Sequence, residues 1–396
     1  MPSYLFLVLL GALAAVGGGS GGSGGSSAGR SVADDSDDDN DAPAPSTPAS
    51  APAAPASALS PPTPVTPVDP GDDADVSTPR GGNDTSVGAD VPNLPASAYD
   101  IGWSGLTAEE QLIVELVNRA RLDPLGELGR QDDGFAAGVT TAPKEALAVV
   151  ESLSDASDAH SQDMDDRNFF AHTNLDGESP SDRAIEAGHG SRFVGENIGW
   201  VGSTRTSFDQ QARAEGHHDN LWDSDGHQQN FMSDRWSEIG VGYDYGSYRG
   251  YDGSTFVTEM FGDRGQTYLT GVVIEDDDGD EFYDMGEGQG DVRITAFNDE
   301  ATFATATWES GGYTLALPPG TYTVVFEGGD LDMPYETEVT IGSENVKLDV
   351  IDEGGNVSTS VSAAVIPDAA LIPGIEPVSE NPMEMVEDDE DTVMIF

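Results

Sequence analysis

Cysteine is absent from the 396 residues, and lysine occurs only as Lys144 and Lys347. Without thiols there is no disulfide framework, no thiolate zinc site and no cysteine nucleophile. Export is not excluded on that ground, because an exported domain can fold without disulfides. Bases are scarce altogether: 16 Lys and Arg stand against 73 Asp and Glu, for a net charge of −57. Such a chain repels the phosphate backbone, which excludes nucleic acid as a partner, and an anionic membrane surface on the same argument. There is no Ser-x-x-Lys, no Gly-rich phosphate loop carrying a lysine and no His-Glu-x-x-His. Outside the Gly/Ser-rich stretch that follows residue 16 there is also no Gly-x-Ser-x-Gly elbow. The usual signatures of nucleophilic and metalloprotease chemistry are therefore missing.

Long apolar runs are equally rare. The one at residues 4–16 is short for a membrane span and suits the core of a signal peptide. No Lys or Arg precedes it, and the best small-x-small cleavage site is Ala12-Leu13-Ala14. Export to the extracellular space or cell surface is the expectation, with retention as an uncleaved anchor the alternative. Residues 17–98 comprise Gly/Ser repeats, an acidic cluster at 34–41 and a Pro/Ala/Ser/Thr stretch at 42–70. Almost without large apolar side chains, this segment cannot offset its ordering entropy and reads as a disordered stalk.

Patterned sequence begins near Tyr99. Thr107 and Glu110 have the spacing of a capping box, and Leu112, Ile113, Leu116, Val117 and Ala120 follow at helical intervals up to Pro124. Further helices are expected over 144–167 and 207–222, and antiparallel strands over 239–245 and 255–261. From residue 268 the period becomes that of strands. Seven short segments (268–274, 292–297, 301–308, 313–317, 321–326, 336–341 and 345–350), separated by Gly, Pro, Asn and Asp, predict a small all-β sandwich. The fold class is thus α+β, with a mixed domain over 99–266, a β-sandwich over 267–352 and a disordered acidic tail over 353–396.

All six histidines lie between His160 and His227. Two of them, with two acids, stand in four phrases: Phe169-Phe170-Ala171-His172, Gly195-Glu196-Asn197-Ile198, Ser224-Asp225-Gly226-His227-Gln228-Gln229-Asn230 and Ser237-Glu238-Ile239-Gly240-Val241-Gly242. Two imidazoles and two carboxylates are enough for a zinc shell, or for three ligands and a general base. Spacing alone does not bring them together. These phrases, in this order, resemble the bacterial branch of the CAP superfamily of cysteine-rich secretory, antigen 5 and pathogenesis-related proteins, over roughly residues 100–265. Met164, Asn168, Ser179, Arg183, Gly188, Asn197, Trp222, Ser224 and Asn230 extend the match.

The resemblance implies an αβα sandwich with a surface cleft formed by His172, Glu196, His227 and Glu238, where zinc or another divalent metal binds in some members. It also implies a small hydrophobic or lipid ligand, and the missing disulfides point to a prokaryotic relative. Glu259 departs from the pattern, since relatives usually carry Gln there. Facing the cleft it would favour cation capture; a surface position is the expectation. His217 and His218 are expected on the surface and His160 buried beneath the cleft, while His189 has no assigned role.

In the β region, residues 276–287 place Asp276, Asp278, Asp280, Asp284 and Glu287 where a curling loop can turn their oxygens inward to Ca²⁺. The sixth position holds Glu281 rather than the glycine of an EF-hand, and the phrase better resembles the calcium loop of serine-aspartate-repeat B-type domains. The reading favoured is an extracellular binding module with a metal-capable cleft and a calcium-stiffened sandwich. The alternatives are a metal-assisted hydrolase with Glu196 or Glu238 as base, and an adhesion or matrix protein with a cell-surface partner.

Overall fold

The computed structural model describes residues 91–131, 134–329, 331, 333–352, 357–362 and 392–395. The apolar segment 1–16, the stalk up to residue 90 and most of the tail lie outside them. Among the described residues no helix is long and apolar enough to cross a membrane.

The expected capping box opens α1 (Ala108–Leu122). Thr107 accepts from the Glu110 amide at 3.3 Å, and the Glu110 carboxylate accepts from the Thr107 amide at 2.8 Å. Pro124 does not only end that helix; it begins a second, α2 (Pro124–Arg130), capped by Asp123. The helix expected over 144–167 starts later, as α3 (Glu151–Asp166), because Ala148–Val149 is drawn into a short parallel strand, β1, against Glu238 and Ile239. Asn118 fixes that detour by bonding both the amide and the carbonyl of Leu147. After α4 (Pro180–Glu186) and β2 (Val194–Ser203) come α5 (Gln210–Trp222) and α6 (Asp225–Phe231). Asp209 caps α5 and starts it slightly later than the apolar pattern suggests.

The long hairpin β3 (Glu238–Tyr248) and β4 (Tyr251–Gly262) turns through Arg249 and Gly250, both at positive φ, the requirement of a tight two-residue hairpin turn. The resulting sheet has the order β1-β3-β4-β2, with Thr392–Ile395 from the tail pairing outside β2. Alternation along β3 separates its two faces. Ile239 and Val241 join the buried cluster of α1 and α5 (Leu112, Ile113, Val117, Leu221, Trp222). Gly240 and Gly242 lie so close to α3 that a Cβ would strike its backbone within 2.2 Å of Ser154 N and Asp158 N. Helices thus cover both faces.

The second region adds β5 (Tyr268–Glu275), β6 (Arg293–Phe297), β7 (Thr302–Ala306), β8 (Gly312–Ala316), β9 (Gly320–Glu327), β10 (Tyr335–Ile341), β11 (Val346–Asp352) and β12 (Val357–Ser362). These are the seven strands read from the sequence, plus β12 from within the segment read as tail. They form two four-stranded sheets, β10-β9-β6-β7 and β12-β11-β5-β8, around a shared core.

No spacer separates the two regions. Val272, Ile274 and Ile351 of the strands, with Tyr283 and Trp308 of the connecting loops, belong to the same buried cluster as α1 and α5. Trp308 donates from Nε1 to Gln111 of α1 at 3.0 Å, and Asn345 donates to the carbonyls of Ala146 and Ser237. Lys347 is buried between Glu115 of α1, at 2.7 Å, and Asp349. A lysine so placed persists only with its charge partnered, and both carboxylates hold its pKa high against the pull of burial.

Candidate functional site

Glu196 and Asn197 are successive residues of β2, so their side chains leave opposite faces of the sheet. The candidate cleft straddles that strand. On one side the Glu196 side chain, only 2% exposed, accepts from His172 Nδ1 at 2.8 Å and pairs with the Arg183 guanidinium. Arg183 sits on α4, whose Ser179–Asp182 capping box fixes its start, and also donates to the His172 carbonyl at 3.0 Å. The His172 loop leaves α3 through Asn168 at φ +55, and His160 beneath it bonds the Ala171 carbonyl at 3.1 Å. His172 itself is 53% exposed. With Nδ1 engaged, its Nε2 is the atom left for a ligand.

On the other side, Asn197 donates to the His227 carbonyl at 3.3 Å and to Glu259 at 2.9 Å, and accepts from Asn230 at 3.0 Å. These contacts lock the start of α6, which carries His227. The buried Nδ1 of His227 has no hydrogen-bond partner. Burial, with repulsion from His172, lowers its pKa to about 4, so this imidazole is neutral at ordinary pH. His160 is lowered to about 4 as well, first by burial.

The fourth residue of the expected set is elsewhere. Glu238 is fully buried on β3, where its carboxylate accepts from His189 Nε2 at 2.8 Å, Arg264 Nε at 2.8 Å and Tyr268 OH at 2.5 Å. Burial would raise its pKa, but these partners outweigh that and hold it below its ordinary value. His189, to which the sequence assigned nothing, is thus a buried anchor of Glu238. Glu259 is not a surface acid: it is fully buried, and burial pushes its pKa up to about 7 against the opposing effects of Asn197 and His218. Nor are His217 and His218 surface residues. Both are fully buried on α5, bonded to Thr255 at 2.8 Å and Glu127 at 3.1 Å. Their adjacency hid this, because α5 packs on both α1 and β2, so that one ring reaches Thr255 of β4 and the next reaches Glu127 of α2. Arg183 stood out only as part of the motif framework; no spacing rule would have paired it with Glu196.

Among the described residues, one group of three possible metal-ligating side chains has its ligand atoms within 4.8 Å of one another: Asp276, Asp278 and Glu287, in the acidic loop. Asp276 caps the amides of Gly279 and Glu281, and Glu287 caps those of Asp277 and Asp284. Glu281, standing where an EF-hand has glycine, takes φ +60. The other two expected ligands face other partners. Asp280 accepts from the Phe282 amide, and Asp284 accepts from Gln211 of α5 at 2.6 Å. Partial burial, with repulsion among Asp276, Asp278, Asp280 and Asp284, raises the pKa of Asp284; Glu287 is also raised, first by burial.

Residues 114–261 match the model of the cysteine-rich secretory protein family, CAP. Over 141 residues the chain is 30% identical to the uncharacterized protein YkwD of Bacillus subtilis, an overlap of 35% of this chain and 44% of that protein. Among solved structures it is similar to an extracellular protein containing an SCP domain from Bacillus anthracis, at 24% identity over 39% of each chain with a TM-score of 0.26. It is also similar to an outer surface protein from Borrelia burgdorferi, at 12% identity over 39% of this chain and 92% of that one, again with a TM-score of 0.26. The chain spans less than half the length of the B. subtilis and B. anthracis proteins it matches.

Proposed function

We infer that this chain, whose segment 114–261 is a CAP domain, is an extracellular binding module that holds a divalent metal between His172 and His227. One observation carries the reading: the 2.8 Å contact between His172 Nδ1 and buried Glu196. A carboxylate on one ring nitrogen is how metal-binding histidines are oriented, with the other nitrogen presented to the ion. Arg183 keeps Glu196 in place, and the lowered pKa of His227 supplies a second imidazole already free of its proton. Two imidazoles leave the remaining positions of the ion to water or to an exogenous ligand, the arrangement of an open rather than a closed site.

The hydrolytic alternative is less well supported. Both acids cast as its base are committed, Glu238 to His189, Arg264 and Tyr268, and Glu196 to His172 and Arg183. An extracellular location rests on the signal-like segment at 4–16, and the B. anthracis and B. burgdorferi proteins are themselves an extracellular and an outer surface protein. On the same footing the loop at 276–287 is proposed to hold Ca²⁺ through Asp276, Asp278 and Glu287, whose ligand atoms lie within 4.8 Å of one another.

Zinc calorimetry on the whole chain in excess calcium tests the cleft. The expected result is one saturable site, lost in His172→Ala/His227→Ala. Equal binding by the double variant would overturn the assignment.

A further inference from the structure

A cavity of about 290 Å³ lies where residues 98–103 cross between the mixed domain and the sandwich, away from His172 and His227. Its walls include Ile101, Trp103, Val149, Trp308, Leu315 and Ala316, contributed by both domains. Domain interfaces are favoured places for small-molecule sites, and this volume stands near the lower end of their range, enough for a ligand of single-ring size. Trp103 and Trp308 meet edge to face, with centroids 5.5 Å apart. Their NH groups do not both need a ligand: Trp308 already donates to Gln111.

The charged groups that line the cavity are Asp100, Glu151 and Arg264. Arg264 is neutralised, because its Nε donates to Glu238 at 2.8 Å and its Nη2 to Tyr268 at 3.0 Å. Among the described residues Asp100 accepts only from the Gly102 amide, and Glu151, on the first turn of α3, has no ion-pair partner. The cavity wall is therefore largely aromatic and apolar, with the uncompensated negative charge on exposed Asp100 and half-buried Glu151. A chain of net charge −57 adds to that preference by concentrating cations and repelling anions.

We propose that this interdomain cavity binds a small amphipathic amine. Its apolar or aromatic body lies against Trp103 and Trp308, and its ammonium group is received by Glu151 and Asp100. Indole faces attract cations as well as apolar groups, so the two parts of such a ligand are served by the same walls. The site is independent of the His172/His227 cleft and survives if that reading fails.

The test uses the whole chain in excess calcium, with 2-phenylethylamine as cationic probe and 3-phenylpropionate as its anionic counterpart. Binding is read by calorimetry and by tryptophan fluorescence. Saturable one-to-one binding of the amine is expected, with the acid at least tenfold weaker. Ala316→Leu, which fills the cavity, should abolish binding, and Glu151→Gln should weaken it about fivefold. Should Ala316→Leu fail to fold, Glu151→Gln decides, since that side chain is only half-buried. The proposal is overturned if the amine does not saturate, if the acid binds as well as the amine, or if the folded variants bind the amine like the wild type. That last result would place the cation on the acidic surface instead.

Discussion

Replacing Glu259 by Gln should stabilise the protein at alkaline pH and do little in mild acid. The Glu259 carboxyl is fully buried, with one oxygen bonded to Asn197 and the other unpartnered. Its pKa rises from an ordinary 4.5 to about 7. At about 1.4 kcal/mol per pH unit, ionising it in the folded protein costs about 3 kcal/mol. The sign follows from proton counting: between those two values the native state holds the proton that the unfolded chain has released, so stability falls as pH rises through that window and levels off above it. At pH 5.5 only about 1.4 kcal/mol of the penalty has accrued, and at pH 8 nearly all of it. Glutamine removes the penalty and keeps the Asn197 bond, but its amide nitrogen takes the place of the unpartnered oxygen, costing about 1 kcal/mol at every pH. The net expectation is near neutrality at pH 5.5 and a gain of about 2 kcal/mol at pH 8. Urea denaturation in excess calcium, followed by circular dichroism, measures both. A difference that does not change with pH, or a variant less stable at pH 8, would refute the argument.

Three further outcomes follow from the shared core and the acidic loop. Trp308→Ala should cost about 4 kcal/mol and lower the melting temperature by about 10 °C, with unfolding still a single transition. Calorimetry that resolved two transitions, with the earlier one alone shifted, would show the domains to be independent. Calcium should raise the melting temperature, and Asp276→Asn/Glu287→Gln should abolish that rise; an equal rise in the variant would place the ion elsewhere. Because burial, and after it repulsion from neighbouring acids, raises the pKa of Asp284 and Glu287, keeping them ionised destabilises the calcium-free loop near neutral pH, and acidification relieves that cost. The calcium-induced increment in melting temperature should accordingly shrink from pH 7.5 to pH 5.5, and an increment that grew would contradict this.

Local rules served the sequence well where the signal is local. The Thr107 capping box and the strand pattern from residue 268 onward both depend on neighbours within a dozen residues. Motif order likewise brought His172 to Glu196. What failed depended on partners far away in the chain. Glu238 reads as a cleft acid until Arg264 and Tyr268, from beyond the hairpin, are seen to enclose it. Glu259, His217 and His218 read as surface groups because a polar side chain gives no sign that a distant Asn197, Thr255 or Glu127 will satisfy it. The merging of two domains into one core was also invisible, since Trp308 and Ile351 look like ordinary strand residues until α1 packs on them.

The central claim is that His172, oriented by Glu196, and neutral His227 together form the metal-binding face of the cleft. Long-range ¹H–¹⁵N correlation spectra of the imidazoles during a zinc titration in excess calcium address it directly. The account predicts that His172 keeps its Nδ1 proton, that its Nε2 resonance shifts as zinc binds and that a His227 nitrogen shifts with it, while His189, His217 and His218 stay put. Unchanged His172 and His227 resonances at saturating zinc, or shifts confined to the buried histidines, would contradict it.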